Sequence, residues 1–590
     1  MGIIARFLEP FRDRQNVSLV RTSGSESARD REIKEAAAAD VAEVEEDDKY
    51  FAPDEPADED ELLSVSPPSS RQVNAICVLV NGKIVTVDDQ FSVRQAVAID
   101  GERVAAVGPD AAILAQAGPQ ASVIDLGGKT VIPGLIDNHN HFVRATEHAE
   151  VRLEGVRTRA AALDLLRRRA AELRPGQWLL TLGGWHEDQW EGDRRELTLA
   201  ELDDAAGDRP AFIQAQYDHA SVNTGWLDAT GVPPGASARA TGRVGGGLVA
   251  LNRAAAAFPA GDDPEAGISA TMAWYNSLGL TTVFDPGGVG VSDASYTRIE
   301  AMAARGELTL RVFTTLCDSL GGGTPAAGHA FAERVRAGKP FQGDQWHDRI
   351  AVGEIYYAPF HWDHVASPPR PSGADVTAAA EILQAAAASG WPVQTHAVTT
   401  EGLDTVLDGY QDADRVRPIG PLRWSVTHAE GITPAQLDLA RRLGVTVQLR
   451  SQSVIGNQRA VAAHGAPAAR RMPPLRLVSG SGLAWGLGTD GTRAAQVNPF
   501  ITLWWAVTGR SLGGDVVLDE PISREQALVA HTRSNAWLIF RENHLGSIRP
   551  GLLADMVVLD RDYLTVPEEQ IKDIRPVATI VGGDVVYGAL

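Results

Sequence analysis

The sequence is poor in cysteine, with two in 590 residues. Cys77 and Cys317 lie far apart, and each falls in an apolar, strand-like run, which favours buried free thiols over a disulfide and indicates a reducing compartment. No segment reaches the roughly 18 to 20 consecutive apolar residues that a membrane span needs. The first residues also lack the apolar core and the small-residue cleavage site of a secretory signal. These absences predict a cytoplasmic protein without a transmembrane segment.

Positive charge and several catalytic motifs are also scarce. The formal net charge is −22, which argues against a nucleic-acid partner because such a partner favours a basic face. There is no Cys-x-x-Cys in the sequence. The glycine runs near 245 and 321 lack the strand-turn-helix context and the Lys-Ser/Thr of a phosphate loop.

Residues 1–73 contain too little apolar surface for a folded core. The section 40–63 is dense in Asp and Glu, so burial cannot offset the entropy of ordering the chain, and we predict a disordered acidic tail. Its first turns could form one apolar helical face, shortened by Pro10, that docks on a partner or a membrane surface; the alternative is a frayed end. The residues of that face are Ile3, Ile4, Phe7, Leu8 and Phe11.

Two β-rich regions bracket the rest of the chain. Residues 74–133 and 545–590 both contain short runs of β-branched residues separated by glycine-containing turns, and they predict one small β-sandwich completed by both ends. The region 134–544 alternates apolar runs with Ala/Leu/Arg-rich helical stretches, which predicts an α/β fold with a parallel sheet. An insertion at about 142–266 is expected at the mouth of this domain, over the site.

Eight candidate strands in the central region would close a (β/α)8 TIM barrel. They begin at Leu135, Thr281, Leu310, Ile350, Val393, Arg423, Val445 and Leu483.

The first of these strands belongs to the segment VIPGLIDNHNHF, residues 131–142, which is apolar until it ends in two histidines. In an extended strand alternate side chains share a face, so His139 and His141 are expected to lie close together and could bind one cation. The alternative is a pair of surface histidines in a loop. His396, His428 and Asp490 each follow an apolar run, at the strand ends where barrel side chains converge.

The segment PGLIDNHNHF resembles the first barrel strand of the metal-dependent amidohydrolase superfamily. The motifs GGW, LDD, RP, DHASVN and TG, together with HTRSNAW at 531–537 and GLLADMVVLD, are similar to its YtcJ-like branch, amidohydrolase family 3, which includes N-substituted formamide deformylases. The resemblance covers about residues 74–590. It implies one or two metal ions, with His139, His141 and Asp490 on the more buried ion and His396 and His428 on the other.

In many members of this superfamily a carboxylated lysine on the fourth strand bridges the two ions. The six lysines of this chain all lie elsewhere: Lys34, Lys49, Lys83, Lys129, Lys339 and Lys572. The fourth candidate strand contains Glu354, and we hypothesise that its carboxylate is the bridge. The alternative is a mononuclear site in which Glu354 only hydrogen-bonds a ligand. Imidazole and carboxylate ligands suit Zn²⁺, and Mn²⁺ or Fe²⁺ could occupy the same atoms.

The expected reaction is hydrolysis of a carbon–nitrogen bond in a small non-peptide amide, such as an N-substituted formamide. A metal-activated water would attack, with Asp490 as general base and His428 in the catalytic set. Hydrolytic deamination or ring opening of a cyclic amide would use the same ions, and a catalytically silent barrel serving as a scaffold is the alternative from another class. A homo-oligomer remains open. The expected substrate contacts, partly an apolar aromatic pocket, are Trp185, His219, Tyr356 and Arg450.

Overall fold

The computed structural model describes residues 77–590 except 248–250, 252–253, 255–257, 260–262, 289–290, 318–322 and 361–368. The predicted acidic tail, residues 1–73, lies outside the described residues. None of the described helices is both long and apolar enough to cross a membrane. Both cysteines are free thiols, as predicted, with Cys317 buried and Cys77 partly buried.

The strands before the central region and within the insertion are β1 Cys77–Val80, β2 Lys83–Val85, β3 Val93–Arg94, β4 Ala96–Asp100, β5 Arg103–Gly108, β6 Ser122–Asp125, β7 Thr130–Pro133, β8 Leu135–Asp137, β9 Leu179–Leu182, β10 Ala211–Ala215, β11 His219–Val222 and β12 Arg243–Gly245. The later strands are β13 Leu280–Asp285, β14 Arg311–Leu316, β15 His347–Val352, β16 Gln394–Ala397, β17 Ser425–His428, β18 Thr446–Arg450, β19 Trp485–Gly488, β20 Met556–Leu559, β21 Pro576–Val581 and β22 Asp584–Gly588.

The α-helices are α1 Asp110–Ala117, α2 Phe142–Thr146, α3 Arg159–Glu172, α4 Leu199–Ala206, α5 Thr224–Ala229, α6 Ser237–Thr241, α7 Pro264–Ser277, α8 Asp293–Ala304, α9 Pro325–Ala337, α10 Gly373–Ser389, α11 Thr400–Asp414, α12 Pro434–Leu443, α13 Gln458–His464, α14 Ala466–Ala469, α15 Leu475–Ser479, α16 Pro499–Thr508, α17 Arg524–Ala530 and α18 Arg533–Leu538. Short 3₁₀ turns occur at Glu187–Gln189, Gly420–Leu422, Gln452–Val454 and Glu568–Asp573.

The two β-rich ends meet in one part of the molecule. A four-stranded sheet has the order β5-β4-β1-β6, and a six-stranded sheet has the order β22-β21-β20-β7-β2-β3. The C-terminal β20 pairs antiparallel with the N-terminal β7, with Val558 opposite Val131. Leu79 of β1, Val97 of β4 and Met556 of β20 belong to one buried cluster. Both ends of the described chain therefore build one core.

The central region contains two parallel sheets of four strands, with the orders β15-β14-β13-β8 and β16-β17-β18-β19. Each of the eight segments predicted as strands overlaps one of these strands. Every residue of β13 and β14 is buried, as expected for parallel strands that are covered on both faces. Isolated bridges join the sheets at both junctions, Val352 with Val393 and Asn140 with Gly491. The chain thus has the α/β architecture that the alternation predicts.

Local sequence signals explain where the covering helices begin and end. For α10, Ser372 and Asp375 form a capping box, and Gly390 ends the helix in the left-handed region with φ 78°. Both features satisfy backbone groups that the helix leaves without partners. The buried face of α10 is rich in alanine, and small side chains let a helix pack closely on its neighbours. The insertion has its own sheet, ordered β12-β11-β10-β9.

Candidate metal centre

The two histidines after β8 lie in a loop that is held by hydrogen bonds, and not in an extended strand whose alternate side chains share a face. β8 ends at Asp137, and His141 precedes α2, so the prediction of an extended strand up to His141 is wrong. Asp137 accepts from the His139 backbone at 3.2 Å and from Nδ2 of Asn140 at 2.9 Å. It also accepts from the Thr489 backbone at 3.0 Å. These bonds tie the loop after the first strand to the end of β19, and the imidazole centroids lie 5.4 Å apart.

Glu354 lies two residues beyond the end of β15 and is surrounded by four imidazoles. Its Oε2 atom is 3.4 Å from Nε2 of His139, and its Oε1 atom is 3.5 Å from Nε2 of His141. The same Oε2 atom is 3.3 Å from Nδ1 of His396 and 3.2 Å from Nε2 of His428. One buried carboxylate therefore lies between the two histidine pairs that the sequence singled out.

Asp490 follows β19 and completes the group. Its Oδ1 atom lies 3.1 Å from Nε2 of His141 and 3.6 Å from Nε2 of His139. Its Oδ2 atom accepts a hydrogen bond of 2.6 Å from Nη1 of Arg450, whose Nε donates to Glu430 at 2.7 Å. Asp490 has φ 61°, a strained value for a residue with a β-carbon that the surrounding contacts must hold.

The charges in this cluster suit a bound cation. Burial opposes ionisation of Asp490, but the hydrogen bond with His141 and the charge of Arg450 hold the pKa of Asp490 well below its usual value. Burial likewise opposes ionisation of Glu354, and the neighbouring histidines still lower its pKa. Burial lowers the pKa of His139 to about 4. Two carboxylates and a neutral imidazole are the protonation states that metal binding requires.

The hydrogen bonds of the histidines also fit a metal ion. Both ring nitrogens of His139 are buried without a hydrogen-bond partner among the described residues, which is costly unless another group binds them. Nδ1 of His141 lies 2.9 Å from the carbonyl oxygen of Gly287. Donation by Nδ1 would leave the Nε2 lone pair directed at the carboxylates, an arrangement common for metal-ligating histidines.

Two ligand sets share Glu354. One comprises His139, His141 and Glu354, and the other comprises Glu354, His396 and His428; within each set the ligand atoms all lie within 4.8 Å of one another. The donor types are those that divalent transition metals prefer. The residues present therefore fit a metal centre.

A cavity of about 660 Å³ opens over this centre. His141, Glu354, His396, His428 and Asp490 lie at its base. Its walls include the 456–463 segment after β18 and residues of the insertion. An insertion that contributes to a cavity wall can select what reaches the base.

Of the four predicted substrate contacts, Arg450 lies in the described cavity wall. Trp185, His219 and Tyr356 are not among the described residues that line the cavity. Trp185 stacks on Trp190 at 5.2 Å in the core of the insertion. The Trp185 side chain is 1% exposed.

The other two residues are also directed elsewhere. Nε2 of His219 lies 3.1 Å from Oε1 of Glu187, and the imidazole is buried. Tyr356 is 1% exposed and packs in the main core near Phe360. Proximity in sequence to Glu354 did not determine the direction of the tyrosine side chain, because the chain turns after β15.

Sequence reasoning missed three residues close to the centre. Asp137 carries the bonds that hold the first loop, and burial raises its pKa to about 6. Arg144 and Tyr217 both line the cavity. Asp137 could have been noticed as the polar residue that ends an apolar strand. The hydrogen bond between Arg144 and Tyr217 joins distant segments of the chain, and no local sequence pattern predicts it.

Comparison with known proteins agrees with this geometry. The profile of the amidohydrolase family (Amidohydro_3) matches residues 122–587. The chain therefore belongs to the amidohydrolase family, as the motifs predicted, and is a metal-dependent hydrolase acting on carbon–nitrogen bonds other than peptide bonds.

Two relatives align over most of the chain. Protein LONG AFTER FAR-RED 3 from Arabidopsis thaliana is 25% identical over 89% of this chain and 94% of its own length. N-substituted formamide deformylase from Arthrobacter pascens is 25% identical over 86% of this chain and 98% of its own length. An uncharacterized metal-dependent hydrolase from Pyrococcus furiosus shares the fold, with a TM-score of 0.59 and 22% identity over 83% of this chain and 100% of that one.

Proposed function

We propose that the protein hydrolyses a small non-peptide amide, an N-substituted formamide or a related amide, at a two-metal centre bridged by Glu354. The observation that carries the proposal is the position of the Glu354 carboxylate within 3.5 Å of ring nitrogens from four histidines. The likeness to the formamide deformylase, over nearly the whole length of both chains, supports this substrate class.

The proposal includes the architecture that supports the centre. The eight central strands form a closed (β/α)8 barrel, and the sheets from both ends form a small β-sandwich beside it. The two bridges between the parallel sheets support closure, because a closed barrel needs hydrogen bonds at both junctions.

In this proposal His139, His141 and Asp490 would hold one ion, His396 and His428 would hold the other, and Glu354 would belong to both ligand sets. Zn²⁺ suits these donors, with Mn²⁺ and Fe²⁺ as substitutes. When bound, a divalent ion would activate water for attack near neutral pH and would offset negative charge on a carbonyl oxygen.

The protein groups then position the amide and move protons. Water adds to the carbonyl carbon, Asp490 accepts its proton at Oδ1, and the proton passes to the departing nitrogen as the carbon–nitrogen bond breaks. Arg450 binds Oδ2 of Asp490, which keeps Oδ1 directed at the histidines. Because Arg450 also lines the cavity, it contacts the substrate in this proposal.

The test is hydrolysis of an amide panel by the purified protein, before and after removal of metal with a chelator. N-alkyl and N-benzyl formamides should release formate and the amine, and added Zn²⁺ should restore activity to the stripped protein. Ammonia released from an amino-heterocycle would support a deaminase instead. Ring opening of a cyclic amide would support a cyclic-amide hydrolase. A protein that binds metal but converts none of the panel would contradict the proposal and support a silent scaffold.

A further inference from the structure

The turn between β10 and β11, residues 216–218, lies in the cavity wall. Its backbone is held from several sides. Gln216, with φ 43°, donates its N–H to the Trp185 carbonyl at 3.0 Å, and Gly247 donates to the Tyr217 carbonyl at 2.9 Å. A β-carbon at Gly246 would lie 1.6 Å from the Asp218 carbonyl oxygen, so only glycine allows this approach. The turn therefore presents Tyr217 at a defined position.

The Tyr217 hydroxyl is linked to the metal centre through Arg144. Nη1 of Arg144 donates to it at 3.1 Å, and Arg144 follows the ligand His141 by three residues. A β-carbon at Gly288 would lie 2.9 Å from Cε1 of His141 and 3.0 Å from Nη2 of Arg144. The imidazole and the guanidinium are thus both close to Gly288, and the same guanidinium donates to the phenol.

This contact leaves the Tyr217 hydroxyl able to donate a hydrogen bond. Its oxygen accepts from a cation, and a charge-assisted bond of this kind polarises the O–H group and strengthens it as a donor. No acceptor for the hydroxyl hydrogen lies within hydrogen-bonding distance in the described part of the chain. Tyr217 lines the cavity and is partly exposed, so a substrate can supply that acceptor.

We propose that Tyr217 is a catalytic residue that donates a hydrogen bond to the carbonyl oxygen of the amide as negative charge develops there, with Arg144 as its positioning residue. The inference rests on the proposed amide hydrolysis. It implies that the insertion, rather than the central strands alone, supplies part of the transition-state stabilisation. Substrates would then need an unhindered acyl oxygen, which a formamide has.

The experiment compares Tyr217→Phe with Tyr357→Phe in the metal-loaded protein. Tyr357 is a matched control because its hydroxyl donates to Asp375 at 2.7 Å, outside the described cavity lining. Tyr217→Phe should lower kcat by about 100-fold, the lower range for loss of one oxyanion donor, with KM changed less than about threefold because the bond strengthens in the transition state. Tyr357→Phe should match the wild type.

Formate binding, measured by calorimetry, gives a readout that does not need turnover. The formate oxygens should use the same donor, so Tyr217→Phe should bind formate at least about fivefold more weakly than either control. Wild-type kinetics in Tyr217→Phe together with unchanged formate binding would overturn the inference. Loss of bound metal in Tyr217→Phe would overturn it too, because the phenol would then support the centre itself. If the wild type hydrolyses no amide, the proposed function fails, and formate binding still decides the role of Tyr217 as an oxygen-binding donor.

Discussion

Glu154, in the loop between α2 and α3, should make the stability of the protein fall as the pH rises. Its side chain is 7% exposed, and its Oε1 atom has no hydrogen-bond partner among the described residues. Nη1 of Arg152 lies 3.8 Å from this atom, and Nη2 of the same guanidinium pairs with Glu150 at 3.0 Å. Burial raises the pKa of Glu154 from 4.5 to about 8, and Arg152 only partly opposes this shift.

The sign follows from proton binding. Below pH 4.5 the carboxyl is protonated in both the folded and the unfolded chain, so it adds no pH dependence. Between pH 4.5 and about 8 the unfolded chain loses the proton while the folded chain keeps it, so the free energy of unfolding decreases. Above pH 8 the loss is complete, and the shift corresponds to a cost on the order of 5 kcal/mol.

Glu154→Gln removes this titration while keeping the shape of the side chain, and Arg152 retains Glu150 as a partner. For a chain of this size about 1 kcal/mol shifts the Tm by about 1 °C. The Tm of Glu154→Gln should therefore match the wild type near pH 5 and exceed it by about 5 °C at pH 9, measured by thermal unfolding across that range. Glu172→Gln on α3, an exposed carboxylate, serves as the control. A Tm difference that stays constant with pH would refute the reasoning.

Two further predictions concern the centre itself. Asp490→Asn should keep the fold and most of the bound metal, measured by circular dichroism and elemental analysis, while kcat falls by about 100-fold or more because the proton acceptor is gone; an active Asn variant would refute the assigned role. Gly488→Ala places a β-carbon 2.5 Å from Oδ1 of Asn138 and 3.0 Å from Cβ of His139. It should lower the Tm by about 1–3 °C and weaken metal retention against a chelator, whereas Gly373→Ala, with open space around it, should do neither.

Much of the fold could be predicted because the central region alternates short, mostly apolar runs with helical stretches. β13 and β14 are examples, since both of their faces are covered. The first loop was harder to predict. β8 ends at Asp137, and the positions of His139 and His141 depend on bonds to Thr489 that join distant segments. Periodicity along one strand cannot reveal such bonds.

The metal-centre residues were easier to identify than the substrate contacts. The absence of a lysine on the fourth strand directed attention to Glu354, and the structure places that carboxylate among four imidazoles. Trp185 and Tyr356 were proposed as substrate contacts from their positions in the sequence, and such positions do not give the direction of a side chain. Both side chains pack in hydrophobic cores. Tyr217 was missed because its contact with Arg144 depends on how the insertion folds over the cavity.

The most direct test of the central claim is an anomalous-scattering map of the fully active protein, recorded at the absorption edge of the bound metal. Two peaks should flank the Glu354 carboxylate, one beside His139 and His141 and the other beside His396 and His428. A fully active protein with a single peak, or with no peak at these side chains, would contradict a two-metal centre bridged by Glu354.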